Sequence, residues 1–161
     1  AEVIGITKWI PPHVIGDGTR TLKELIEARN AYRKYYTLSE IVVNEEEIMR
    51  QGFDYASVLP EGVSCGLNRN SSYLVGGETT RIDPALIHPD NLEACRRAAD
   101  ATYINFSGID LISKDISVSY RENGAAINEI NTCPNIFVHY FADMGEDARE
   151  ARRILQKYFG L

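Results

Sequence analysis

The chain has 161 residues, 44% of them hydrophobic, and a formal net charge of −6, which is enough apolar material for one core near the size of a single domain. Its Lys and Arg are scattered rather than clustered, which argues against nucleic acid as a main partner, because phosphate backbones are held by grouped cations. No apolar run nears the roughly 18 residues needed to span a bilayer, so no membrane partner is expected.

Ala1 to Ile10 has neither the basic start nor the long apolar stretch of a signal peptide. The chain opens without Met, as a processed chain or a piece cut from a longer one would. Cys65, Cys95 and Cys133 form no CxxC pair and leave one cysteine over from any disulfide. Reduced cytosol, hence a cytoplasmic location, is the simplest account.

In chain order, Glu2 to Trp9 alternates as a strand does and is closed by Pro11-Pro12, which cannot continue a ladder. Gly16-Asp17-Gly18 is a turn. Thr19 or Thr21 can cap the next helix: Leu22, Leu25 and Ile26 recur at helical spacing, and Glu24 follows Thr21 by three, as in a capping box. Asn30 to Glu40 is polar, Tyr-rich and without a clear period, which predicts an extended excursion. Trp9 and Tyr32, Tyr35 and Tyr36 read as packing or subunit contact, which would permit a homo-oligomer. Asn44 opens a short acidic helix, Glu45 to Gln51, ended by Gly52.

Val63 to Leu67 reads as a strand, and Gly76-Gly77 as a loop whose backbone either approaches a ligand or takes φ > 0. Pro89-Asp90 starts a helix through Thr102, with Leu92, Cys95, Ala98 and Ala99 on one side. A strand over Tyr103 to Ile112 and a return strand over Gly124 to Asn131 follow. Gly145 to Phe159 closes the chain as an amphipathic helix with Ala148, Ala151, Ile154, Leu155 and Tyr158 at core spacing. The expected class is α+β, with helices packed on a mainly antiparallel sheet.

The last two strands carry the chemistry. Asp110, Glu129 and Asn131 stand where a core strand would hold Val or Leu. Glu129 and Asn131, two apart, share a face. The Ser-, Asp-, Asn- and Gly-rich segment from Ser113 to Gly124 favours a hairpin-like return that sets Asp110 beside Glu129. Two carboxylates and a carboxamide suit Mg²⁺ or Mn²⁺, which commonly hold a nucleotide; the plainer alternative is a solvated polar face. Cys133 lies close by, yet no signature pairs it with a base.

Five collinear segments extend this picture: Ile10-Pro11-Pro12-His13-Val14-Ile15-Gly16-Asp17-Gly18, Thr21 to Ile26, Gly76-Gly77, Gly108-Ile109-Asp110 and Glu129-Ile130-Asn131. Together they resemble the later part of the ATP-grasp module of cyanophycin synthetases, and are similar to the ligase half of bifunctional glutathione synthetases, from Val3 to about Phe141. The resemblance implies that residues 1–161 are a C-terminal portion of an ATP-grasp module, with the phosphate lid and adenine-contacting hinge on an upstream part of the same polypeptide. It implies a ligase that uses Mg-ATP to turn a substrate carboxylate into an acyl phosphate, which an amine displaces to give an amide or peptide bond.

On that resemblance Asp110, Glu129 and Asn131 take the places of magnesium ligands, with Glu129 bridging two ions. Asn70, Gly76, Gly77 and His139 fall near an amino-acid or peptide substrate. Where relatives carry arginines, this chain has Trp9 and Asn68, with Lys8 and Arg69 one residue away. A one-residue shift reverses a strand side chain's face, so Lys8 and Arg69 serve catalysis only where a bulge turns them inward. Such a chain alone is expected to bind nucleotide poorly and to lack ligase activity. The competing expectation is a non-catalytic derivative kept for binding or assembly.

Overall fold

The computed structural model describes residues 1–140 together with Arg152, Gln156, Lys157 and Gly160. The helix expected over Gly145 to Phe159 otherwise lies outside the described residues. In chain order the elements are β1 (Thr7–Ile10), β2 (His13–Ile15), α1 (Leu22–Tyr35), α2 (Glu45–Arg50), β3 (Ser64–Gly66), β4 (Glu78–Arg81), α3 (Pro89–Ala101), β5 (Gly108–Ile112), α4 (Tyr120–Asn123), β6 (Ala126–Asn131) and α5 (Phe137–Tyr140). Single 3₁₀ turns lie at Tyr73–Val75 and Pro84–Leu86. Among the described residues the strands form three two-stranded sheets, β1 with β4, β2 with β3 and β5 with β6, rather than one continuous sheet. The α+β class holds.

The chain divides into two compact units, one of Trp9–Thr80 and one of Ala1–Lys8 with Arg81–Leu161. The first unit is built on a core of Val14, Leu22, Leu25, Ile26, Ile41, Ile48, Leu59, Cys65 and Leu67. Thr21 caps α1 through the expected reciprocal box: its backbone N–H donates to Glu24 Oε2 at 2.7 Å, and its hydroxyl accepts from the Glu24 N–H at 3.3 Å. Leu22, Leu25 and Ile26 then fall on the core face. Asn44 caps α2 by accepting from the N–H groups of Glu46 and Glu47. Gln51 joins that helix to β3, donating to Gly66 O and accepting from Gly66 N.

The excursion expected from Asn30 onward is instead helix as far as Tyr35. Ala, Arg and Lys supply adequate helix propensity there, and Arg33 turns inward, 2% exposed. The apparent lack of period came from an arginine occupying a core position.

In the second unit, β5 begins at Gly108 rather than Tyr103, which is 95% exposed and has φ of +55°. His88 caps α3 with Nδ1, accepting from Asp90 N at 3.2 Å. The segment from Ser113 to Gly124 returns the chain as expected and contains the short α4. It is tied to α3 by a fully buried residue, Asn91, which donates to the carbonyls of Ile116 and Val118 and accepts from the Tyr120 N–H. Ser119, also buried, donates to Asp90 at 2.6 Å. A polar clasp, more than an apolar core, fixes this connector to the helix.

Candidate metal site on the β5–β6 hairpin

β5 and β6 pair antiparallel, with Gly108 opposite Asn131, Ile109 opposite Ile130 and Asp110 opposite Glu129. Residues directly opposite one another share a face, so Asp110, Glu129 and Asn131 lie on the same side of the hairpin. Gly108 puts no side chain in front of Asn131. Beyond Asp110 the register slips by one residue: Leu111 pairs with Ile127, passing over Asn128. Strict alternation would have placed Ile127 on the face of Glu129. The slip lets Leu111 and Ile127 line the cavity against α3 instead, while Asp110 and Glu129 remain exposed.

Two carboxylates directly opposite on one face repel each other, and nothing in an ordinary sheet repays that cost. A bound cation would. Asn131 Nδ2 lies 3.4 Å from Asp110 Oδ2. The amide's oxygen and nitrogen exchange places on a half-turn, so its carbonyl oxygen can point to the same spot. Around an octahedral Mg²⁺ with oxygens at about 2.1 Å, neighbouring ligands sit about 3 Å apart. The separation of Asp110 and Asn131 is near that spacing, and two carboxylates with a carboxamide are the hard ligands such an ion takes.

The other sequence-selected residues divide between the two units. Lys8 is exposed in β1, next to Trp9, which is also exposed. Arg69 lies in the first unit, where its Nε donates to Glu47 Oε2 at 2.7 Å; Arg50 holds the same carboxylate. These arginines, Arg50 foremost, keep the Glu47 carboxyl below the usual carboxylate range. Asn68 donates to Val42 O at 2.8 Å and accepts from the Asn70 N–H, and Asn70 in turn accepts from the Ser72 N–H. Successive Asx turns of this kind shape the loop that leads to Gly76 and Gly77.

Both glycines have reasons within the fold. Gly76 has φ of +91° and packs on Ile41, where a Cβ would come within 2.7 Å of Ile41 Cα, and a Cβ on Gly77 would overlap the Ser71 carbonyl. His139 is half-buried in α5. Of the cysteines, Cys65 and Cys95 have thiols pushed above their ordinary range by burial, which suits packing rather than nucleophilic attack.

Two residues that position these elements escaped the sequence reading. Asn91 sits in a first helical turn, where Asn carries no sign of its burial. Glu78 follows the Gly pair and receives Arg29 Nη2 at 2.6 Å, with Arg33 Nη1 3.8 Å away. The spacing of Arg29 and Arg33, one helical turn apart, was the available signal.

The known proteins to which the chain is similar are large synthetases. It is 32% identical to the cyanophycin synthetase of Synechocystis sp. over 98% of its own length and 19% of that protein. It is 31% identical to the glutathione biosynthesis bifunctional protein of Clostridium perfringens, over 98% of this chain and 21% of that one. In structure it matches a bifunctional glutathione synthetase from Pasteurella multocida with a TM-score of 0.82 and 21% identity, over 99% of this chain and 23% of that one. The chain thus spans about a fifth of the length of the relatives it matches. No protein-family model matches it.

Proposed function

Because the chain is related over nearly its whole length to cyanophycin synthetase and bifunctional glutathione synthetase, both ATP-grasp ligases, we propose that it is the C-terminal part of an ATP-dependent carboxylate–amine ligase. The observation that carries this reading is the pairing of Asp110 with Glu129 and the approach of Asn131 to Asp110 on one exposed face. Asp110, Glu129 and Asn131 hold Mg²⁺, or Mn²⁺, with Glu129 as the bridging carboxylate. Bound there, the ion neutralises charge on the β- and γ-phosphates of ATP during phosphoryl transfer. The hairpin's contribution is rigidity: adjacent strands keep the three oxygens in register before nucleotide arrives.

The substrates in this reading are an amino acid or peptide carboxylate and an amine, joined through an acyl phosphate. Asn70 and the Gly76-Gly77 loop border the substrate carboxylate, and His139 lies near the substrate. Lys8 and Arg69 supply the cations that stabilise the transferring phosphoryl group. An upstream part of the same cytoplasmic polypeptide provides the lid and hinge, and the isolated chain is without ligase activity. Mn²⁺ titrated into the 161-residue chain should broaden the amide signals of 108–110 and 129–131 first. Glu129→Gln should weaken that binding at least about tenfold, since one of two carboxylates is lost. Broadening that starts elsewhere would refute the site.

One observation favours a second reading, a non-catalytic module kept for binding or assembly: Arg69 is already engaged by Glu47. ADP release by the complete polypeptide, screened with amino acids and short peptides, separates the two. Turnover abolished by Glu129→Gln supports the ligase; no ADP release with any substrate pair, despite Mg²⁺ binding, supports the module.

A further inference from the structure

The first unit has a concave surface of about 350 Å³ between β2 and α1, lined in part by His13, Ile15, Arg20, Leu25, Arg29 and Tyr32. That volume lies in the range of small-molecule sites. No carboxylate lines it, although the chain as a whole carries a charge of −6. Ile15, 57% exposed, gives the cleft an uncovered apolar wall, and Arg29 lies 5.5 Å over the Tyr32 ring.

The guanidinium groups around it are not fully used. Arg20 Nε donates to Asp17 at 2.6 Å, which leaves its two terminal nitrogens without a hydrogen bond among the described residues. Arg29 and Arg33 share a single oxygen, Glu78 Oε1, at 2.6 and 3.8 Å. Arg33 spends its Nε on the Ser39 carbonyl, and its buried Nη2 has no hydrogen-bond partner among the described residues. Arg20 lies within electrostatic reach of Glu24 as well as Asp17, so the cleft's claim on an anion rests on N–H groups unused among the described residues: both terminal nitrogens of Arg20 and Nη1 of Arg29. His13 contributes Nε2, since its Nδ1 is occupied by the Pro11 carbonyl at 3.1 Å.

We infer that this cleft binds a small organic oxyanion, a phosphate or carboxylate group carried on a flat apolar body. The two terminal nitrogens of Arg20 take the anion as a planar donor fork, with Nη1 of Arg29, whose Nε and Nη2 both donate to Glu78 Oε1, as a third donor. The body lies along Ile15 and the Tyr32 ring. The unused guanidinium N–H groups explain why an anion is wanted, and the bare isoleucine explains why an inorganic one is not enough. The site is separate from the β5–β6 hairpin and needs neither divalent ion nor ATP.

The test is an NMR titration of the 161-residue chain, without metal or ATP, using phenyl phosphate, benzoate and inorganic phosphate. Phenyl phosphate should give saturable shifts confined to His13, Ile15, Arg20, Arg29 and Tyr32, with inorganic phosphate at least about tenfold weaker because it has no body to bury. Benzoate of similar affinity to phenyl phosphate extends the cleft to carboxylates; much weaker benzoate restricts it to phosphate esters. Arg20→Gln should weaken binding about tenfold, the cost of one charge-assisted hydrogen bond. Ile15→Glu, at an exposed position that keeps the fold, should abolish it. Absence of saturable shifts, equal affinity for inorganic phosphate, or binding retained in both variants would overturn the inference.

Discussion

Replacing Asn91 with Ala removes the clasp that holds the connector between β5 and β6 to α3. Three hydrogen bonds are lost, but unequally. The Ile116 carbonyl still receives the His88 N–H, and the Val118 carbonyl still receives Asn123 Nδ2. The Tyr120 N–H, which donates to Asn91 Oδ1 at 2.8 Å, has no second acceptor among the described residues and is left unsatisfied. Taking about 2 kcal/mol for the orphaned N–H and about 0.5 kcal/mol for each carbonyl that keeps a second donor gives about 3 kcal/mol. Hydrogen exchange reads this directly. Amides of 116–131 should exchange about 10²-fold faster in the variant, whereas those of α1 and β3, in the other unit, should not change. An effect below threefold, or one spread equally over both units, would show that the connector is held by something other than Asn91.

Thr21→Ala should cost about 1 kcal/mol in urea unfolding, with the slope unchanged, by deleting the cap of α1. The Thr21 hydroxyl is also the chief reason the Glu24 carboxyl titrates below its ordinary range. A depressed folded-state value gives stability that is present above the ordinary Glu pKa and lost as pH falls through the lower folded one, so the variant should lose less on acidification below about pH 4.3. Arg69→Gln should move the Glu47 carboxyl only part of the way back up in a ¹³C titration, because Arg50 is the larger cause; a complete return would mean that Arg50 does not hold it. Gly77→Ala should destabilise the first unit by about 3 kcal/mol, since a Cβ there meets fixed backbone at Ser71 rather than a movable side chain. A thermal melt within 1 °C of the parent would contradict that contact.

Local chemistry was legible where a residue acts on its immediate neighbours. The Thr21–Glu24 box and the Asn44 cap could both be read from the sequence, because each is decided within four residues, whereas the expected turn at Gly16 to Gly18 begins two residues later, since Gly16 still pairs with Gly62 and Val63. The facing of Asp110 and Glu129 was also readable, since period-two alternation and a polar return segment leave few alternatives. Arg33 was not, because a buried guanidinium looks like a solvated one until the chain beyond the helix turns back with Ser39 and the sequence-distant Glu78 is brought to it. Asn91 failed for the same reason: its partners lie at least 25 residues away. The slip at Asn128 had no signal either, as a bulge needs no special residue type and is imposed by what each face must meet.

That slip makes the strand pair a ribbon with two independent sides. Below it, aliphatic groups answer to α3; above it, oxygens answer to whatever charge they hold. Mutational drift beneath the helix can therefore proceed without turning the acidic side away from the ion proposed for it, and removing Asn128 to restore perfect alternation would couple the two again. A sheet regularised in the name of stability would lose that freedom.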